Sequence, residues 1–249
     1  MKSSRRATLL REMGLEPVWK LRGAQTPEPA EVLRAPETPR KVEAPGRVDA
    51  GPGIAEGDDR AERILRMDWQ QLKAAVPQCR ACPLCASRTH TVFGVGDENA
   101  DWLVVGEAPG AEEDARGEPF VGQAGRLLDN MLASIGLRRG ANVYIANVLK
   151  CRPPGNRNPE RTEVDRCSPY LQRQIELIRP KLILAMGRFA VQTLLDTDAS
   201  IGSLRGRVHK YRGVPLIVTY HPAYLLRSLH EKAKSWEDLC FARRTLSGL

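Results

Sequence analysis

No apolar run in this sequence approaches the roughly 20 residues that a membrane-crossing helix needs. The opening segment, MKSSRRATLLREMGLEP, starts basic, but Arg11 and Glu12 break its short apolar patch. A secretory signal wants a longer apolar stretch and a small-residue cleavage site. No internal repeat recurs. No strand–GxGxxG–helix unit is present either, and the Gly-containing GEAPG at 106–110 lacks that spacing, which sets a dinucleotide-binding reading aside. These absences predict a soluble, intracellular, cytoplasmic protein with no membrane partner.

What is present begins with length and charge. The 249 residues leave room for one substantial domain plus a tail, or for two small domains. The formal net charge is +8. Residues 1–65 carry 12 Lys/Arg against 11 Asp/Glu, whereas residues 66–249 carry 26 against 19. The basic excess therefore belongs to the part expected to fold, and a basic fold favours an anionic partner such as nucleic acid.

The chain divides at about residue 65. From Thr26 to Asp59 it is rich in Pro, Ala, Glu, Arg and Gly and has no aromatic residue. Such a stretch cannot bury enough apolar area to offset its ordering entropy, so a disordered linker is predicted. Ahead of it, Ala7–Arg22 holds Leu9, Leu10, Met13, Leu15, Val18 and Trp19. Two readings fit that segment: a fraying helix stub, or a short protein-partner-binding element.

From residue 66 onward the pattern is that of a folded domain beginning near Ile64, with a helix over Asp68–Val76. Four short apolar runs follow: Trp102–Val105, Val143–Val148, Leu182–Met186 and Leu216–Tyr220. Runs of this kind suit strands buried on both faces. Helical spacing marks Gln123–Ile135, Asp165–Ile178 and Arg188–Leu195 between them. The alternation predicts a three-layer α/β/α fold around a four-stranded, mostly parallel sheet.

In open sheets of this class, ligands bind beyond the carboxyl ends of the strands. There the sequence places GEAPG (106–110), Asn147 with KCRPP (150–154), Gly187 and HPAYLLR (221–227). A carboxylate (Glu107), an amide and an imidazole would converge on one edge. Six cysteines are also present: 79, 82, 85, 151, 167 and 240. Cys79-x2-Cys82 followed by Cys151-x15-Cys167 can hold either zinc or an iron–sulfur cluster, because both accept four thiolates. Cys82-Pro-Leu-Cys85 is a second C-x2-C, so spacing alone leaves Cys85 ambiguous.

In their order and spacing, CRAC, GEAPGAEED, GEPFVGQAGRLLDNML, NVLKCRPPGNRNP and HPAYLLR together resemble the uracil-DNA glycosylase superfamily. The closest match is its iron–sulfur branch, usually called family four, from about Gln78 to the end. The resemblance implies a [4Fe–4S] cluster on Cys79, Cys82, Cys151 and Cys167, with Cys85 and Cys240 as small hydrophobes. It implies a base-flipping hydrolase that acts, as a monomer, on uracil-containing DNA, single- or double-stranded, in base excision repair.

The implied roles follow the matched motifs. Phe120 stacks on the base. The Asn147 amide pairs with uracil N3–H and O4, where cytosine would leave buried groups unpaired. His221 donates to the developing charge on uracil O2, and Glu107 holds the water and faces the cationic sugar. The backbone near Ala108 and Glu113 lies against uracil or the water. Lys150, Arg152 and Arg157 meet the DNA backbone, while Leu225, Leu226 and Arg227 enter the minor groove.

Two alternatives remain open. The superfamily branch that becomes covalently trapped on its product carries a basic, histidine-containing insertion before the final motif, and Lys210–Tyr220 has none. A non-catalytic DNA-binding or redox-sensing module could use the cysteines, but it would not require Glu107, Asn147 and His221 all at strand ends.

Overall fold

The computed structural model describes residues 55–248. The Ala7–Arg22 segment and most of the expected linker lie outside the described residues. The linker reading stops short of Asp59, however. A helix, α1, runs over Ala55–Arg66. Its AEGDDRAERILR sequence is dense in helix-compatible charges, with an i,i+4 Glu62–Arg66 pair. It buries Ile64 with Leu72, Val76 and Tyr170, and this tertiary anchor is what a composition argument could not weigh. Helix α2 (Trp69–Gln78) follows, with Asp68 and Gln71 forming a reciprocal capping box.

The sheet has six strands rather than four. The expected four form its centre: β2 (Trp102–Gly106), β3 (Val143–Asn147), β4 (Leu182–Met186) and β6 (Val214–Thr219). Two short antiparallel edges are added, β1 (Val95–Gly96) and β5 (His209–Tyr211), giving the order β1-β3-β2-β4-β6-β5. The edges escaped notice because they are only two and three residues long and half-exposed, which leaves no apolar run to read.

The central strands pair in parallel, with Trp102 opposite both Val143 and Leu182, and Ile183 opposite Leu216. This register divides their side chains between two cores with a period of two. Leu103, Val105, Tyr144, Ala146, Ile183, Ala185, Leu216 and Val218 face one side. There they meet α5 (Arg161–Ile178), α6 (Arg188–Leu195) and Ile201 of α7 (Ile201–Leu204). Trp102, Val104, Val143, Ile145, Leu182, Leu184, Met186 and Ile217 face the other. There they meet α4 (Gln123–Ser134), α8 (Pro222–Arg227) and α9 (Lys232–Ser247). The short α3 (Ala111–Arg116) leads out of β2. Helix α9 had no clear apolar signature because its buried side includes Ser235 and Asp238. Asp238 accepts from Thr219 Oγ1 at 2.9 Å, a polar tie to the end of β6.

Candidate active site

All four central strands end on the same edge, and a cavity of about 780 Å³ opens there. Glu107, Ala108, Glu113, Phe120, Asn147, Arg157, His221 and Arg227 all line it. So do Arg188, Phe189 and Tyr220, which were not anticipated. Arg188 directly follows Gly187, so the strand-end rule that found the others would also have reached it.

Asn147, the last residue of β3, is 2% exposed, and its Oδ1 is buried with no hydrogen-bond partner within the protein. An unpaired buried acceptor is costly unless something else supplies the donor. Gly106 makes room for it: a Cβ there would stand 2.4 Å from Asn147 Oδ1 and 2.7 Å from Phe120 Cζ. Phe120 itself takes a left-handed backbone conformation, φ 55°. Arg139 secures that conformation by donating at 2.9 Å to the carbonyls of both Pro119 and Phe120. At Gly125 a Cβ would collide with the Phe120 carbonyl oxygen at 1.7 Å. Phe120 is therefore locked, and its ring stacks on His221 with centroids 5.3 Å apart.

His221 caps α8. Its Nδ1 accepts from Ala223 N–H at 3.1 Å, so the neutral ring carries its proton on Nε2. Burial, reinforced by Arg227, lowers its pKa to about 4 against a smaller opposing effect of Glu113. The ring is thus neutral at physiological pH. Burial moves Glu107 the other way, up to about 7, with Arg188 pulling back. Glu113 has its carboxylate committed to loop geometry: it accepts from Gly110 N–H at 3.0 Å and Val121 N–H at 3.1 Å. It holds the two loops that carry Ala108 and Phe120.

Two of the expected DNA contacts do not reach the surface. Lys150 is 1% exposed and points inward, its Nζ bonded to the Asn147 carbonyl at 2.9 Å and to Gln174 Oε1 at 2.6 Å. Its place in a basic loop suggested the solvent, but its register below β3 turns it inside. Leu225 is 1% exposed within the α4/α9 core, because α8 turns that side of the helix onto the sheet. Its neighbours Leu226 and Arg227 are exposed. Arg157 lines the cavity while pairing with the buried Glu163 carboxylate at 2.9 Å, and Arg152 bonds Asn156 Oδ1 at 2.7 Å.

A second, small cavity is lined by Cys79, Cys82, Cys151 and Cys167, but not by Cys85. The first two come from the end of α2 and the turn after it, Cys151 from the loop after β3, and Cys167 from α5. All four thiols are free. Three sulfurs accept directed hydrogen bonds: Cys79 from Arg60 at 3.3 Å, Cys151 from Arg88 at 3.1 Å, and Cys167 from the Lys150 amide at 3.3 Å. Burial raises the thiol pKa of Cys82, Cys151 and Cys167, the last to about 12. Among the described residues, no three His, Cys, Asp or Glu side chains are placed to hold a single metal ion.

The strand ends of this α/β sheet thus bring a carboxylate, a recessed amide, an aromatic ring and a neutral imidazole into one cavity. Residues 93–240 match the family model of the uracil DNA glycosylase superfamily. The chain is 51% identical over 159 residues to the type-4 uracil-DNA glycosylase of Archaeoglobus fulgidus, covering 61% of this chain and 79% of that protein. It is 41% identical over 181 residues to that of Pyrobaculum aerophilum, covering 70% and 92%. With a type-5 uracil-DNA glycosylase of the latter organism, identity is 34% over 146 residues, covering 52% of this chain and 64% of that protein. The chain belongs to the uracil-DNA glycosylase superfamily.

Proposed function

We propose that this protein removes uracil from DNA by hydrolysing the N-glycosidic bond, leaving an abasic site for base excision repair. The observation that carries the proposal is Asn147. Its buried Oδ1 lacks a partner inside a cavity that also holds Phe120, Glu107 and His221. A uracil extruded from the stack supplies N3–H to that oxygen, and its O4 accepts from the same amide. Cytosine presents the opposite pair and leaves both groups unsatisfied.

Phe120, held in place at the cavity wall, offers a flat ring face to the base. As water adds to C1′ and the C1′–N1 bond breaks, the electron pair moves onto the departing uracil, largely at O2. Neutral His221 donates from Nε2 to that charge without itself carrying one, which is electrostatic stabilisation in a dry site. Ionised Glu107 takes the water proton and faces the cationic sugar. Arg227 and Leu226, exposed beside the cavity, are the outward candidates for phosphate and groove contacts.

We assign the cysteine cavity to a [4Fe–4S] cluster, which Cys79, Cys82, Cys151 and Cys167 would hold. The support is the donor set: four free thiols on three separate segments, with N–H groups directed at three sulfurs, as iron–sulfur ligands receive. A cluster held there by the four thiolates would tie α2, the β3 loop and α5 together covalently, its ligands having given up their protons. The single-ion alternative, zinc, would give a colourless protein. Unpaired thiols suit a reducing cytoplasmic setting, and we take the working unit to be a monomer. A protein partner for Ala7–Arg22 remains part of the proposal on sequence grounds alone.

The test is an end-labelled oligonucleotide with one uracil, incubated with brown, cluster-bearing protein. Conversion to an alkali-cleavable abasic site supports the reading. An intact strand, with the visible absorption of the protein undiminished, overturns it.

A further inference from the structure

We propose that Lys150 is a positioning residue for uracil recognition, tying the Asn147 peptide to the cysteine-bearing helix α5 by two buried hydrogen bonds. The inference rests on the glycosylase reading above. The geometry is a closed circuit. Lys150 Nζ donates to the Asn147 carbonyl at 2.9 Å and to Gln174 Oε1 at 2.6 Å. Gln174, fully buried on α5, passes the link on by donating to the Phe93 carbonyl at 2.9 Å. The Lys150 amide donates to Cys167 Sγ, also on α5, while its carbonyl accepts from Val92 N–H at 2.7 Å.

Volume filling does not explain this residue. Both partners of the ammonium are neutral oxygens, and burying a charge among them is expensive. A hydrocarbon of similar length would fill the space without that cost. What the ammonium adds is direction. Asn147 stands at the end of β3, and its peptide to Val148 is held from two sides: Val148 N–H donates to the Gly106 carbonyl at 3.0 Å, and Lys150 takes up the Asn147 carbonyl. The side-chain amide can discriminate bases only if that plane is fixed, because its Oδ1 has no partner of its own within the protein to hold it. Lys150 grips the carbonyl on the far side of the same residue. The cysteine cavity thereby connects to the pocket through one side chain, with no need for electron transfer.

The test uses Lys150→Met in the full chain, alone and combined with Asn147→Ala. A charge-assisted bond of this kind predicts a fall in kcat of about ten- to a hundredfold. The visible absorption per chain should stay at the wild-type value. In the Asn147→Ala background, Lys150→Met should cost nothing further, because both changes act through one group. Binding supplies the second readout. An oligonucleotide bearing 2′-fluoro-2′-deoxyuridine, whose fluorine resists base departure, is compared with its cytidine counterpart. Lys150→Met should lower the uridine/cytidine affinity ratio. An unchanged ratio, or losses that multiply in the double variant, overturns the proposal. If Lys150→Met loses its colour, Gln174→Leu, which leaves the cysteine loop intact, takes its place, and an unchanged ratio in that variant is equally fatal. A wild-type protein with no uridine preference would instead defeat the glycosylase reading itself.

Discussion

The uracil pocket and the cysteine cavity are built on opposite principles, although only residues 148–150 separate Asn147 from Cys151. The pocket is open and keeps bonding capacity in reserve. Asn147 Oδ1 has no partner, His221 is neutral with an N–H to give, and Glu107 is held near its midpoint. The cysteine cavity is small, and the protein's own N–H groups are already aimed at its sulfurs. The first arrangement suits a ligand that enters and leaves. The second suits a resident group. Catalysis and bracing are thus separable in space, joined by Lys150.

If that separation is right, variants should sort into two classes. The largest effect belongs to His221→Ala, which removes the donor to the leaving base. Excision should slow about 10²–10³-fold, the usual cost of one such donor, with the visible absorption retained. A slowdown that tracks loss of colour instead would merge the two regions.

Next come the cysteines. Cys79→Ala and Cys167→Ala should each bleach the protein and lower its melting temperature. Cys85→Ala, outside the cavity, should keep full colour, and iron content per chain checks this. Bleaching by Cys85→Ala would redraw the ligand set.

A third effect is pH dependence. Glu107 acts as a carboxylate, and its pKa is raised to about 7, so the active fraction grows as pH rises through that value. Between pH 6 and 8, kcat/KM should increase about tenfold. No falling limb is expected from His221, which is already neutral above its pKa of about 4. In Glu107→Gln the rise should vanish from a much reduced rate. A decline from pH 6 to 8 in the wild type would reverse the assigned role.

The smallest expected effects separate two adjacent leucines. Leu225→Ala should cost about 2–5 kcal/mol of stability in a denaturant titration, as core truncations do. Leu226→Ala should stay within about 0.5 kcal/mol while weakening DNA binding. Equal effects on stability would mean that α8 is oriented differently.

Much of this could be read from the sequence, for identifiable reasons. The four central strands are continuous apolar runs because both faces of the sheet are covered, so their signal survives without context. Strand-end chemistry at Glu107, Asn147 and His221 followed from a topological rule. What could not be read were the outcomes of packing. Lys150 and Leu225 looked outward because a basic loop and a short helix carry no marker of which side meets the core. Arg139 gave no sign that it locks Phe120, since it acts on backbone carbonyls 19 and 20 residues away. Helix α1 was hidden because a charged sequence becomes ordered only through Ile64 and its neighbours.

Selection of uracil by the Asn147 amide is decided by the base preference of Asn147→Asp. Matched oligonucleotides carrying one uracil or one target cytosine would be followed under single-turnover conditions. The uracil/cytosine rate ratio should collapse while the chromophore stays intact. A ratio unchanged from wild type would take Asn147 out of the recognition role and the account with it.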